Sequence, residues 1–184
     1  MSGNSGDRRI VPEREPDQVP GVRKVATPPE VRARSTLSRV DYEDTFLVRI
    51  EPPSDRTAEQ WARTMLEGAP KTTRHMLTAG WTALGLRLAS TRSTSSVLGW
   101  TVRERTPEVL LLGADGRLGL SGELLFERVG DDLLRFATFV RLDNTVARHT
   151  WAAITPRHVA TVQDLLVRIA RSDRRPLEQT GRPG

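Results

Sequence analysis

The 184-residue sequence contains no cysteine, which excludes disulfide cross-links, thiolate nucleophiles and cysteine-ligated metal sites. Lysine is nearly absent as well, since only Lys24 and Lys71 occur and arginine supplies almost all of the basic charge. That bias is typical of a GC-rich genome, such as an actinobacterial one, and we attribute no function to it.

No long apolar run occurs in the chain. The N-terminus therefore lacks the hydrophobic segment of a signal peptide, and no stretch is long enough to span a bilayer. Because the absence of cysteine also fits a reducing compartment, we expect a cytoplasmic protein without a membrane span.

Charge of one sign is not concentrated in the part of the chain that is expected to fold. The net charge is +5, but residues 41–171 contain seventeen basic and sixteen acidic residues. A nearly neutral region without a basic stripe does not suit binding to a phosphate backbone. We therefore expect no nucleic-acid partner.

The signatures of common catalytic sites are missing. The glycine-rich run at 113–119 contains Asp115-Gly116, which is typical of a hairpin turn rather than of a phosphate-binding loop before a helix. The segment at 119–122 lacks the spacing of a serine-hydrolase nucleophile elbow. No HExxH or HxH spacing occurs, so we expect neither a metal nor a cofactor.

Both ends of the chain are rich in proline and charge. Residues 1–40 hold five prolines and few large apolar side chains, so they cannot bury enough surface to offset their chain entropy. Residues 172–184 have a similar composition. We therefore predict one folded domain at 41–171 between two disordered tails, at 1–40 and 172–184.

The predicted domain begins with a strand at 42–50, which is followed by two helices. In the first helix, five apolar side chains recur on one helical face. They are Ala58, Trp61, Ala62, Met65 and Leu66. The second helix covers about residues 72–88, although Gly80 and Gly85 weaken its pattern. Further strands are predicted at 97–105, 109–114, 117–129 and 133–142.

The register of the last hairpin follows from the length of its loop. A three-residue loop at 130–132 pairs Phe126 with Phe136, and it pairs Glu127 with Arg135. The aromatic pair then faces the core and the ion pair faces water.

Residues 145–154 are predicted to form one more strand after an even-length turn at Asp143-Asn144. This register places His149 opposite Thr138 on the inner face, near Trp151, whereas an odd-length loop would turn His149 outward. A covering helix is then needed above these side chains.

The final helix is predicted to begin at Thr155, whose side chain suits an N-cap, with Pro156 at its first position. Its apolar stripe consists of Val159, Val162, Leu166 and Ile169. The helix ends near Arg171.

Four short runs carry a resemblance to a known family: 41–46 (DYEDTF), Trp61-Ala62-Arg63, 149–151 (HTW) and 154–158 (ITPRH). With the order of elements, they make the chain resemble the START-like, polyketide-cyclase-like (SRPBCC) superfamily. Within it, residues 41–171 are similar to an uncharacterised bacterial domain-of-unknown-function family. The resemblance implies an α+β helix-grip fold, in which a curved antiparallel sheet of about six strands wraps around a long C-terminal helix. It also implies an apolar cavity between sheet and helix, but no particular reaction.

Six residues are candidates to line that cavity: Trp100, Phe126, Phe136, Thr138, His149 and Trp151. The aromatic ones could bind a flat or lipidic ligand, or they could simply fill the core. His149, the only catalytic candidate, could move a proton or orient a ligand. It could equally be a core histidine that is paired with Thr138 or a backbone carbonyl. His158 is expected to pack or to cap its helix.

Three functions are compatible with this pattern. The first is binding of a small hydrophobic or amphipathic molecule in the apolar cavity. The second is a cyclase- or aromatase-type enzyme with His149 as the proton shuttle. The third is a structural or interaction module with a filled core. The sequence does not define the oligomeric state.

Overall fold

The computed structural model describes residues 21–91 and 93–172 of the chain. Within them lie seven strands: β1 (Val22–Val25), β2 (Tyr42–Arg49), β3 (Ser96–Val97), β4 (Trp100–Arg105), β5 (Val109–Ala114), β6 (Leu120–Val129) and β7 (Leu133–Leu142). The helices are α1 (Pro29–Arg32), α2 (Ala58–Leu66), α3 (Lys71–Ala83) and α4 (Thr145–Ser172).

All seven strands form one antiparallel sheet in the order β1-β2-β7-β6-β5-β4-β3. The long helix α4 packs against this sheet together with α2, so the architecture is the predicted α+β helix-grip fold. The predicted register of the central hairpin is confirmed, because Phe126 pairs with Phe136 and Glu127 with Arg135. The Glu127 and Arg135 side chains form an ion pair of 2.6 Å on the outer face.

The inner core is built where α2 and the C-terminal half of α4 meet the sheet. A capping box fixes the start of α2, since Thr57 and Gln60 each bond the other's backbone N–H. This leaves the predicted apolar face of α2 buried, with Trp61 only 2% exposed. Phe126 and Phe136 fill the centre in an edge-to-face contact, with ring centroids 5.1 Å apart.

The prediction of a strand at 145–154 is wrong, because these residues form the first turns of α4. Strand β7 already pairs with β2 on one side and β6 on the other, which leaves no edge for another partner. Asn144 caps the helix, and its Oδ1 accepts a hydrogen bond from the N–H of Ala147 at 2.8 Å.

The helix also continues through Thr155 and Pro156, which were predicted to start it. Pro156 lies on the exposed side of α4, where water can replace the hydrogen bond that proline cannot donate. The helical spacing of apolar side chains in fact extends upstream of the proline. The residues on this face are Ala147, Trp151, Ile154, Val162, Leu165 and Ile169.

The predicted disordered tail at 1–40 is wrong for its described part, residues 21–40. Strand β1 pairs with β2 at the sheet edge. Residues 29–40, here called the N-terminal strap, cross the outer face of the sheet and cover a second apolar cluster. Val31, Leu37 and Val40 of the strap belong to that cluster. The remainder of the predicted tails, 1–20 and 173–184, lies outside the described residues.

A buried carboxylate fastens the strap to the sheet. Glu123 in β6 is 0% exposed, and its oxygens accept hydrogen bonds from the Ser35 hydroxyl at 2.5 Å and from the Thr36 N–H at 3.1 Å. Arg103 in β4 supplies the counter-charge at 2.6 Å, reaching across β5. It can cross because position 113 is glycine: a Cβ there would lie 1.9 Å from Arg103 Nε. The charge is thus both paired and hydrogen-bonded, as a buried charge must be.

We expect Glu123→Gln to lower the free energy of unfolding by about 3 kcal/mol. A neutral amide removes the buried partner of Arg103, which then keeps only the exposed Asp115, and it leaves strap donors unpaired. Urea unfolding measures the loss. Trypsin should also cut faster after Arg32 and Arg34, because the backbone of a detached strap can enter the active site of the protease.

The matched control is Glu104→Gln, which removes an exposed carboxylate that also contacts the strap, 3.4 Å from Arg34. Its cost should stay below about 1 kcal/mol, as for a surface pair. Equal effects of the two substitutions would show that the buried network does not hold the strap.

Candidate functional site

A cavity of about 470 Å³ lies between α3, the N-terminal half of α4 and the inner face of the sheet. The side chains around it are mostly apolar. Helix α3 contributes Met76, Leu77 and Trp81, and Leu84 follows at its C-cap; the sheet contributes Trp100, Leu124, Thr138 and Val140; α4 contributes Trp151, Ile154, Arg157 and His158. A space of this size and character suits a drug-sized organic molecule.

Helix α3 is the wall that makes this space. It has an apolar side, yet none of its residues is fully buried. Leu77, Trp81 and Leu84 are only partly buried, because they face the cavity instead of packed protein. Trp81 meets Trp100 edge to face, with ring centroids 5.4 Å apart. An apolar helix face of this kind is a surface on which a ligand can be buried.

The structure brings together three of the six predicted cavity residues. Trp100, Thr138 and Trp151 line the cavity. Phe126 and Phe136 instead lie in the packed core, at 0% and 1% exposure, and do not line it.

His149 does not occupy the inner position that was predicted for it. It lies on the exposed side of α4, where Nδ1 is 3.1 Å from the carbonyl oxygen of Thr145. The cause is the change from strand to helix, since a period of 3.6 residues separates His149 from Trp151 by about 200° rather than placing both on one face.

A buried polar cluster that the sequence did not predict lies beside the cavity. The Asp44 carboxylate has no exposed surface, and the Tyr42 hydroxyl donates a hydrogen bond to its Oδ2 at 2.7 Å. Nε2 of His158 lies 3.3 Å from the same oxygen. Thr138 is the cross-strand neighbour of Asp44. Trp151 closes the cluster, with its ring 5.1 Å from that of His158.

These contacts fix the protonation of the cluster. Burial alone would raise the pKa of Asp44, but His158 and the hydrogen bond from Tyr42 outweigh it and hold that pKa below its ordinary value. Burial, and then the hydrogen bond to Asp44, raise the pKa of Tyr42 well above its ordinary range. At neutral pH, Asp44 is therefore ionised and Tyr42 keeps its proton.

Two indole donors beside the cavity lack acceptors. Nε1 of Trp100 and Nε1 of Trp151 are buried, and no residue within 21–91 and 93–172 accepts a hydrogen bond from either. An unsatisfied buried donor costs about 1–3 kcal/mol, so both indoles favour an acceptor in their vicinity.

One sequence signal pointed to the polar cluster. Asp44 is two residues from both Tyr42 and Phe46 in β2, and Val48 follows at the same spacing. These four side chains share one face of the strand, so an acid lies on its apolar face. An acid in such a place requires a partner. Sequence spacing could not identify His158 as that partner. The predicted helix was capped by Thr155, whereas α4 is capped by Asn144, eleven residues earlier.

Comparison with protein-family models and with curated proteins finds no match. The fold and the site therefore define the class only: an α+β helix-grip protein with an apolar cavity bordered by a buried acid–histidine–tyrosine cluster. In the described part of the chain, no helix is long and apolar enough to cross a membrane. Nor does that part contain three or more His, Asp or Glu side chains grouped closely enough to hold a metal ion.

The low pKa of Asp44 gives a prediction for acid stability. Because that pKa is lower in the folded chain than the roughly 3.9 of an unfolded aspartate, ionisation of Asp44 stabilises the fold above about pH 4. The contribution is lost as the pH falls through the folded-state pKa. Melting temperatures measured from about pH 7 to pH 2.5 should therefore fall less steeply at the acid end for Asp44→Asn than for the parent chain.

Tyr42→Phe is the matched variant for this experiment. It removes one hydrogen bond to the Asp44 carboxylate and so moves the folded-state pKa towards the unfolded value. The acid-induced loss should therefore be smaller than in the parent and complete at a higher pH. If both variants keep the parent's pH dependence, the stabilising role of the ionised Asp44 is excluded.

Proposed function

We propose that the protein binds a small hydrophobic or amphipathic molecule in the cavity between the sheet, α3 and α4, as a cytoplasmic member of the START-like superfamily. The observation that carries the proposal is the cavity itself. Its volume of about 470 Å³ lies within the range of about 300–1,000 Å³ that is usual for organic ligands.

Binding at this site would come mainly from apolar burial. Leu77, Trp81 and Leu84 would lose their remaining contact with water when a ligand enters, which stabilises a complex by roughly 25 cal/mol for each Å² of apolar surface buried. The acceptor-free indoles of Trp100 and Trp151 would favour a ligand that carries an oxygen.

The two alternative functions are supported less well. A cyclase-type enzyme with His149 as its proton shuttle would need that side chain inside the cavity, and His149 is exposed on the other side of α4. A module with a filled core would leave no cavity of this size between α3 and the sheet.

Gly80 allows the cavity to be filled without disturbing the core. It lies in α3, one turn from both Met76 and Leu84 on the face that lines the cavity, and a Cβ at this position would meet no atom within 4 Å. We expect Gly80→Leu to fill part of the cavity and to weaken binding of the neutral dye N-phenylnaphthylamine at least about tenfold. Fluorescence titration measures the affinity.

Two controls separate blocking from unfolding. Gly80→Ala adds a single carbon and should keep binding, with a stability gain of about 0.5–1 kcal/mol from the better helix former. His149→Ala should leave the affinity unchanged, because that side chain lies outside the cavity. A parent chain that binds no dye, and carries no ligand in native mass spectrometry, would refute the proposed function.

A further inference from the structure

The ionisable side chains that line the cavity are basic ones, and no acidic side chain belongs to the described lining. The inference drawn from this lining rests on the proposed function of the cavity as a ligand site. Arg157 and His158 are the ionisable side chains that line it, and no aspartate, glutamate or lysine does so among the described residues. The uncharged polar groups on or beside the lining are the indole donors of Trp100 and Trp151 and the hydroxyls of Thr138, Thr150 and Thr161, which can also donate. A wall that offers donors and positive charge, but no carboxylate, is complementary to an anion.

His158 and Arg157 differ in whether an acidic side chain of the protein already lies next to them. Nε2 of His158 is directed at the ionised Asp44, which lies behind the cavity wall and outside its lining. Arg157 has no acidic residue within 4.0 Å in the part of the chain that is described. Its guanidinium lies 3.7 Å from the sulfur of Met76, so it stands between α4 and α3 at the cavity.

Two arginines of the sheet, unlike Arg157, are paired with carboxylates of the protein. Arg103 and Arg135 each face a carboxylate at 2.6 Å and are largely buried by their ion pairs. Arg157 keeps its donors exposed beside an apolar space. Guanidinium groups bind carboxylates and sulfonates through paired N–H donors, which makes Arg157 suited to an anionic head group.

We infer that the ligand is an amphipathic monoanion: an apolar body that lies between Trp81, Trp100 and Leu124, and one carboxylate-like head group that pairs with Arg157. A cationic ligand would find no counter-charge on the lining. A dianion would carry one charge more than Arg157 neutralises, because His158 is already turned to Asp44.

Two dyes that differ by one charge test this inference. Anilinonaphthalene sulfonate is N-phenylnaphthylamine with an added sulfonate, so the pair separates head-group binding from apolar binding. The parent chain should bind the sulfonate more tightly, and added salt should weaken only the sulfonate. Arg157→Gln should raise the Kd of the sulfonate about tenfold and leave that of the neutral dye unchanged.

Arg168→Gln is the matched control, since Arg168 is an exposed arginine of the same helix that does not line the cavity. It should change neither Kd. Arg157→Lys should keep most of the preference for the anion, because the charge remains. Dodecanoate should displace either dye more effectively than dodecanol, which extends the result from the sulfonate to a carboxylate.

The outcomes separate the inference from the proposed function. Equal affinity of the parent chain for both dyes, or an equal effect of Arg157→Gln on both, overturns the anionic head group but leaves cavity binding intact. Failure of the parent chain to bind either dye instead removes the proposed function. Urea unfolding of Arg157→Gln should match the parent, and a large loss of stability would exclude head-group binding as the explanation of a weaker Kd.

Discussion

The structure depends on one charge that must stay paired: the carboxylate of Glu123, which lies without exposed surface in the middle strand of the sheet. A charge in that place is tolerated only when donors surround it. Two elements supply them, the side chain of Arg103 and the strap at Ser35-Thr36. Satisfying the charge therefore brings the strap onto the outer face, which in turn covers the second apolar cluster.

With the outer face closed in this way, the inner face divides into a packed half and a hollow half. Helix α4 belongs to both. Its C-terminal half buries Leu166 and Ile169 against the core, whereas its N-terminal half presents Trp151 and Ile154 to the cavity. The ionised Asp44 and His158 lie near the boundary between the halves. A polar cluster at this position helps to fix α4 on the sheet, so the width of the cavity follows from an electrostatic contact and not only from packing.

Much of the fold was predictable from the sequence because its signals are local. The alternation in β6 and β7, together with a three-residue loop, was sufficient to define the register of Phe126 with Phe136. The segment at 145–154 was not predictable in this way. Its side chains fit a period of two as well as a helical period, and the choice depends on whether β7 has a free edge, which is a property of the whole sheet.

Local signals also predicted part of the candidate site. Trp100, Thr138 and Trp151 were identified because they are bulky or polar residues on an inner face. His149 was misplaced with its segment. The strap was missed because its composition, rich in proline and arginine, indicates a segment that cannot fold by itself. Composition does not reveal that Glu123 binds this segment on the sheet.

The distance between the strap and its docking point along the chain also determines when the two can meet. Ser35 and Glu123 are 88 residues apart in the sequence, and the strap is synthesised first. On the ribosome it must wait until β4, β5 and β6 have emerged, and closing so long a loop carries an entropic cost. Once these strands have emerged, Leu111 and Leu125 of the outer sheet face have no cover until the strap docks. The nascent chain is therefore most exposed to aggregation on the face that the finished protein hides most completely.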